Sequence, residues 1–194
     1  MAVQYQRTRE MTIDELLLEN RVVFLFGEIH QQSAARVIMQ MLYLENLKKG
    51  QDINFYINSP GGVVDDTLAI YDTMRFLSSK VATYCIGRAY SGASLLLAAG
   101  EQGKRYILPN AKVMIHQPYG GVTGQSADIQ IQAQQIIKDK NRLNEIFAKH
   151  TGQPIEQIKN DAERDKYFDS DEAKAYGLVD EVIDLPEVKG DRKN

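Results

Sequence analysis

The chain has 194 residues, of which 43% are hydrophobic and 25% charged, and its net charge is −3. These values predict one globular domain and argue against disordered, collagen-like and coiled-coil classes, and against a nucleic-acid-binding protein held by a broad basic surface. A single cysteine cannot form an internal disulfide, and the three histidines are too dispersed along the chain to indicate a metal site. The first ten residues lack the apolar segment of a secretory signal, and no uncharged apolar run reaches the roughly 18 residues of a membrane helix.

Strand-like and helix-like segments alternate along the chain. The continuous apolar run at 21–27 predicts a strand buried on both faces, and helical spacing follows from a cap at Ser33 to Gly50. Further strands are predicted at 53–58, 81–86, 106–108, 113–115 and 178–183, and further helices around 68–76, at 91–99, from about 126 to 149 and from a capping box at 169 to 177. This alternation predicts an α/β fold with a mostly parallel sheet.

Three residues could supply nucleophilic chemistry. Ser91 follows a strand and opens an apolar helix, beside free N–H groups that favour developing negative charge, but serine is also a common helix N-cap. His116 ends an apolar run just before Gln117-Pro118, where it could be a general base or a half-buried structural histidine. Asp165 lies in a charged run, which is usually a solvated surface.

Together these residues offer a nucleophile, a base and an orienting carboxylate in the chain order Ser, His, Asp. The α/β-hydrolase order is different, and Ser91 lacks the G-x-S-x-G motif of that class. A triad is defined by geometry, so another fold could carry it. The turn at 59–62 (SPGG) could expose backbone N–H donors to a ligand, but without a dinucleotide or P-loop pattern it does not favour nucleotide binding.

Five motifs in order resemble the ClpP family, the proteolytic subunits of Clp proteases. They are YINSPGG at 56–62 with AIYDTM at 69–74, the segment 85–87 with Ser91 and 96–100, VMIHQP at 113–118, HTGQP at 150–154 followed by Arg164-Asp165, and EAKAYGLVDEV at 172–182. The resemblance runs from about residue 16 to residue 183.

The resemblance implies a serine endopeptidase that hydrolyses unfolded polypeptides to short peptides through an acyl-enzyme. In it Ser91 would be the nucleophile, His116 the general base and Asp165 the orienting carboxylate. The family's oxyanion donors fall on the backbone N–H groups of Gly62 and Gly92.

The resemblance also implies a crotonase-like α/β fold of repeated βαβ units in a single domain, 1–194. An N-terminal arm or axial loop would occupy 1–15, a protruding strand-helix handle 119–149, and a frayed tail 184–194. Family members stack two seven-membered rings into a chamber fed by a hexameric Clp ATPase unfoldase, so ATP would belong to the partner and the chain itself would need no cofactor or metal. We expect unfolded proteins as substrates, no nucleic-acid or membrane partner, and a bacterial cytoplasmic location, or a plastid or other organelle as the alternative.

The chain departs from the family pattern beside the nucleophile. Gly92 replaces the usual Met, Tyr90 an Ala and Ser94 an Ala, and Thr67 replaces a common Gly. Because glycine costs more entropy to hold in place, we expect Gly92 to lower basal peptidase activity and Gly92→Met to raise it, provided the backbone has a negative φ there and Tyr90 leaves room.

Two alternatives stay open. The chain could be a weakly active or structural ClpP paralogue in a mixed ring, although the presence of all three triad residues favours catalysis. It could also be an acyl-CoA enzyme of the crotonase fold, which stabilises a thioester enolate with two N–H groups and works with carboxylates. Labelling by a serine-directed phosphonate separates a serine protease from such an enzyme.

Overall fold

The computed structural model describes residues 10–121 and 123–183. The helices are α1 (Ile13–Glu19), α2 (Gln31–Leu47), α3 (Val64–Phe76), α4 (Gly92–Ala98), α5 (Ser126–Thr151), α6 (Ile155–Asp161) and α7 (Ser170–Tyr176). The strands are β1 (Val22–Phe26), β2 (Ile53–Ser59), β3 (Val81–Tyr90), β4 (Arg105–Ile107), β5 (Lys112–Ile115), β6 (Lys166–Phe168) and β7 (Glu181–Val182).

The sheet is mostly parallel, as the alternation of strands and helices predicts. Its main path runs β1-β2-β3-β4-β7, and all neighbours on that path are parallel. The long strand β3 divides its partners: its first half pairs with β4, and its last residues pair with β5, which in turn carries β6 in antiparallel orientation. This division places the end of β3 beside the end of β5, and so brings Ser91 close to His116.

Helix α4 lies in the centre of the core. Its residues from Ala93 to Ala98 are all buried, because the helix is apolar on every side except for Ser94. Each fully buried leucine contributes roughly 1.5–3 kcal/mol. Surrounded in this way, α4 holds its first turn, and therefore Ser91, in a fixed position.

The start of α2 differs from the prediction. The helix begins at Gln31, and the cap is His30, whose Nδ1 accepts a hydrogen bond from Gln32 N at 3.3 Å. Ser33 is the third helical residue and its hydroxyl accepts from His30 N, so the Ser33 cap is wrong by three positions. An imidazole nitrogen can accept this bond as a serine oxygen does, which local sequence preferences do not indicate.

The last residues of the predicted arm, 1–15, belong to a helix. Residues 13–15 form the first turn of α1, which is capped by Thr12 and Glu15 in a capping box. Residues 1–9 of the predicted arm, Val122 and the predicted tail at 184–194 lie outside the described residues.

The segment predicted as a strand-helix handle, 119–149, contains a helix but no strand among its described residues. Helix α5 closely follows the predicted 126–149, and its buried residues, Asn144 and Phe147, lie near its end, so its first half extends beyond the core. The described residues before it, 119–121 and 123–125, form no strand, since no described segment pairs with them. Helices α1 and α6 and strand β6 are short elements that were not predicted. Within 10–121 and 123–183 no helix combines the length and apolarity that crossing a bilayer requires.

Candidate active site

Ser91 stands at a strained turn between β3 and α4. Its φ of +54° lies in the left-handed region that non-glycine residues seldom adopt. Ser91 N donates to Met114 O at 2.9 Å, and the Ser94 hydroxyl donates to Ser91 O at 2.6 Å, so the neighbouring structure holds the strain in place. The Ser91 side chain makes no capping hydrogen bond, and the interpretation of Ser91 as an ordinary N-cap is therefore wrong.

A chain of two hydrogen bonds links the three predicted residues. Ser91 Oγ lies 2.9 Å from His116 Nε2, and His116 Nδ1 lies 2.9 Å from Asp165 Oδ1. The antiparallel pairing of Ile115 with Lys166 explains the second contact, because the residue after Ile115 and the residue before Lys166 must then face each other. The His116 side chain is 15% exposed and that of Asp165 56%. His116 is therefore largely shielded from solvent, whereas Asp165 is solvent-exposed.

A second polar cluster ties α5 to the segment that carries Asp165. Lys140 Nζ donates to Gln117 Oε1 at 2.7 Å and to Glu163 Oε2 at 3.1 Å, and Gln117 N donates to Ala162 O at 2.6 Å. The hydrogen bond and the charge of Lys140 lower the pKa of Glu163. Sequence reasoning missed these residues, because each contact joins positions at least 23 apart.

The backbone beside Ser91 is closely packed and carries two N–H groups, those of Gly62 and Gly92, that have no acceptor among the described residues. Gly61 packs so closely on the turn at Ser91 that a Cβ on it would lie 2.6 Å from Tyr90 O, and a Cβ on Gly62 would lie 2.0 Å from Ile29 O. Only glycine fits at either position.

Gly62 and Gly92 both line a small cavity beside Ser91. The cavity has a volume of about 20 Å³, and its wall is formed by Gly62, Val64, Thr67, Ser91, Gly92, Leu95, His116, Pro118, Leu143 and Phe147. Tyr90, the residue before Ser91, does not line this cavity; its ring packs edge-to-face on that of Tyr167, with ring centroids 5.6 Å apart. A groove of about 590 Å³ between β1 and α2 is larger, but its lining includes none of Ser91, His116 and Asp165. Another opening, of about 420 Å³, borders His116 and Asp165 but not Ser91, so we place the chemistry of the nucleophile at the smaller cavity.

The space above Gly92 is already occupied. The backbone at Gly92 does not have a positive φ, yet a Cβ there would lie 2.4 Å from Thr67 Oγ1 and 3.0 Å from Thr67 Cγ2. Thr67 is buried and β-branched, and its hydroxyl donates to Val63 O at 2.9 Å, so it has little room to move. This packing argues against the expectation that Gly92→Met raises activity, because the new side chain would collide with Thr67.

Other nucleophile and metal chemistry finds no support. Burial raises the pKa of Cys85 to about 12, so its thiol stays protonated and unreactive. In the described part of the chain no group of three or more His, Cys, Asp or Glu side chains is placed to hold a metal ion.

Comparison with known proteins identifies the family. A family model described as Clp protease matches residues 5–186. The chain belongs to the Clp protease family. It is also 54% identical, over 179 residues, to the "ATP-dependent Clp protease proteolytic subunit 1" of Rhodopirellula baltica, a match that covers 92% of this chain and 79% of the relative. The resemblance and the fold predicted from the motifs are confirmed: this Clp protease chain is a proteolytic subunit and a serine peptidase, from a family whose members assemble as oligomers with Clp ATPases.

Proposed function

We propose that this Clp protease subunit cleaves peptide bonds with Ser91 as nucleophile, His116 as general base and Asp165 as the carboxylate that orients His116. The observation that carries the proposal is the continuous pair of 2.9 Å hydrogen bonds that joins the three side chains. A base within hydrogen-bond reach of the nucleophile, itself held by a third group, is the arrangement that activates a serine.

The reaction follows from this arrangement. Ser91 Oγ attacks the scissile carbonyl carbon while its proton passes to His116 Nε2, and Asp165 stabilises the imidazolium that forms. The same proton then goes to the leaving amine, which departs and leaves an ester on Ser91. Water, deprotonated by His116, hydrolyses the ester and restores the enzyme.

The negative oxygen of each tetrahedral intermediate needs donors that are already in place. The N–H groups of Gly62 and Gly92 supply them in this proposal, since both are unpaired among the described residues and border the Ser91 cavity. Removing one such donor from a serine protease costs about 10²–10³ in kcat.

A peptide diphenyl phosphonate tests the assignment of the nucleophile. We expect one phosphonate per chain, mapped by peptide mass spectrometry to Ser91, and no labelling of Ser91→Ala. Labelling at another serine, Ser94 in particular, would contradict the proposal. The buried Ser94 hydroxyl is already bound to Ser91 O, which argues against that outcome.

We further propose that the working form is two stacked seven-membered rings, homomeric or mixed with a ClpP paralogue, supplied with unfolded protein by a hexameric Clp ATPase in the bacterial cytoplasm or an organelle. The relative is named as an ATP-dependent protease subunit, which supports an ATP-consuming partner. Large apolar side chains that a single chain leaves exposed, among them Ile13, Met39, Phe76 and Ile131, support burial in an assembly. ATP hydrolysis belongs to the partner in this scheme.

Native mass spectrometry with a degradation assay tests the assembly. We expect a particle of about fourteen chains that cuts short peptides without ATP and folded proteins only with the ATPase and ATP. A monomer that degrades a folded substrate unaided would contradict this part of the proposal and leave the assignment of Ser91 standing.

A further inference from the structure

The cavity beside Ser91 is very small. A cavity of about 20 Å³ holds roughly one water molecule, which is also about the size of one methyl group. Ser91, His116, Gly62 and Gly92 all border it, so an acyl group on Ser91 would lie beside this cavity. The cavity is therefore a candidate space for the side chain that precedes the scissile bond.

Its walls cannot easily retreat. Leu95 is 1% exposed and Phe147 5%, and both belong to the core cluster, so widening the cavity on their side would disturb the centre of the molecule. The remaining side is formed where α3 meets the start of α4. There Thr67 Oγ1 and Cγ2 fill the space that a side chain on Gly92 would otherwise take.

We propose that Thr67, packed over Gly92, limits this subunit to cleavage after small residues, alanine above all. The proposal rests on the proposed role of Ser91 and adds the class of substrate. Val64, Leu95 and Pro118 make the cavity apolar, so a methyl group suits it better than a hydroxyl or a charge. One methylene too many in such a pocket costs about 10–200-fold in kcat/KM.

A matched peptide series tests the proposal. Peptides that differ only in the residue before the cleaved bond, alanine or leucine, are compared by kcat/KM on the assembled enzyme. We expect the wild type to favour alanine by tenfold or more. Thr67→Ala removes the two atoms over Gly92, and we expect the preference to fall at least tenfold. A wild type that cleaves equally well after leucine, or a Thr67→Ala variant with unchanged preference, would overturn the proposal.

Two further variants separate space filling from the other properties of Thr67. Thr67→Val keeps the shape of the side chain without its hydroxyl, and we expect it to keep the preference for alanine. Thr83→Ala is the matched control, because Thr83 is also buried, its hydroxyl donates to Leu97 O, and its Oγ1 would lie 2.4 Å from a Cβ on Gly100. We expect Thr83→Ala to lose stability as Thr67→Ala does and to keep the wild-type preference. A loss of preference in Thr67→Val or Thr83→Ala would overturn the space-filling explanation.

Paired phosphonates distinguish this proposal from the one on which it rests. Alanine and leucine peptide phosphonates are compared by the rate at which they label the wild type and Thr67→Ala. Faster labelling by the alanine compound, with the difference reduced in Thr67→Ala, supports both proposals. Equal rates at Ser91 overturn only the size limit, whereas no labelling of Ser91 by either compound overturns both.

Discussion

The two ends of helix α4 both carry polar clusters, yet they differ in what remains unpaired. At its start, Ser91 is strained and the N–H groups of Gly62 and Gly92 have no acceptor among the described residues. At its end, Arg105 Nη1 donates to the carbonyls of Ala98, His150 and Gly177, at 3.2, 2.8 and 2.9 Å.

The second cluster is closed by an ion pair. Arg105 Nε and Nη2 donate to the two carboxylate oxygens of Asp180 at 2.9 and 2.6 Å, and Gly103 N adds a further bond to that carboxylate. Burial alone would raise the pKa of Asp180, but the hydrogen bonds and charge of Arg105 outweigh it and lower the pKa. Unsatisfied donors and a strained residue at the start of α4 are available to a reacting substrate, whereas the satisfied groups at its end stabilise the fold.

The largest expected effect separates activity from stability at the start of α4. Ser91→Ala should lower peptide hydrolysis by about 10⁶-fold, because the proposed triad loses its nucleophile. The midpoint of urea unfolding should stay close to wild type, since alanine keeps the same backbone strain. Ser91→Gly should be equally inactive and more stable than Ser91→Ala, because glycine tolerates a φ of +54°. Peptidase activity within tenfold of wild type in either variant would contradict the comparison.

The opposite result is expected at the end of α4. Arg105→Met should lower the free energy of unfolding by about 3–5 kcal/mol, because it removes the guanidinium from three carbonyl groups and from the Asp180 carboxylate, which keeps only its backbone donors. The exposed pair between Arg36 and Asp14 provides the control, and Arg36→Met should cost less than about 1 kcal/mol. Equal losses in the two variants, measured by urea unfolding, would show that the cluster at Arg105 does not stabilise the fold.

Two glycine substitutions introduce the same steric clash at the start and at the end of α4. Gly92→Ala and Gly100→Ala each place a Cβ 2.4 Å from a threonine Oγ1, that of Thr67 and that of Thr83 respectively. Both should lower stability, but only Gly92→Ala should also lower kcat/KM of the folded enzyme, by about tenfold to a hundredfold, because it displaces the proposed oxyanion donor. Adding Thr67→Gly should restore much of that loss. Equal kcat/KM values for Gly92→Ala and Gly100→Ala would contradict a catalytic role for the backbone N–H of Gly92.

The smallest effect is a dependence of stability on pH at the end of α4. Burial, with the charges of Arg75, Lys149 and Arg105, lowers the pKa of His150 to about 4, and its Nε2 lies 3.1 Å from the Tyr71 hydroxyl. Because an unfolded histidine titrates near 6.5, the unfolded chain takes up this proton first as the pH falls.

His150 should therefore add to stability above pH 6.5 and lose that contribution as the pH falls from 6.5 to 4. The melting temperature of His150→Gln should decline less steeply over this range than that of the wild type. His30→Asn, which replaces the exposed cap of α2 by another capping residue, controls for the loss of any histidine. Parallel curves for the wild type and His150→Gln would contradict the assignment.

Much of the fold is determined by the sequence itself. Apolar runs and helical spacing locate β1, β2 and α5 to within a few residues, and the capping box of Asp169 and Glu172 marks the start of α7. These signals are local, since a strand or a cap depends on neighbours within a few positions. The ordered motifs identify the family, and they single out Ser91, His116 and Asp165, although no short-range pattern says that these three side chains meet.

Tertiary structure alone decided the properties of the site. The division of β3 between β4 and β5 brings the end of β3 to His116, and the antiparallel β6 brings Asp165 to its other side. The positive φ of Ser91 and the placement of Thr67 over Gly92 depend on residues far apart in the chain. Steric exclusion between such residues leaves no periodic or local signal in the sequence. For this reason the sequence suggested that a larger residue at position 92 would raise activity, whereas the packing shows that Thr67 leaves no room for one.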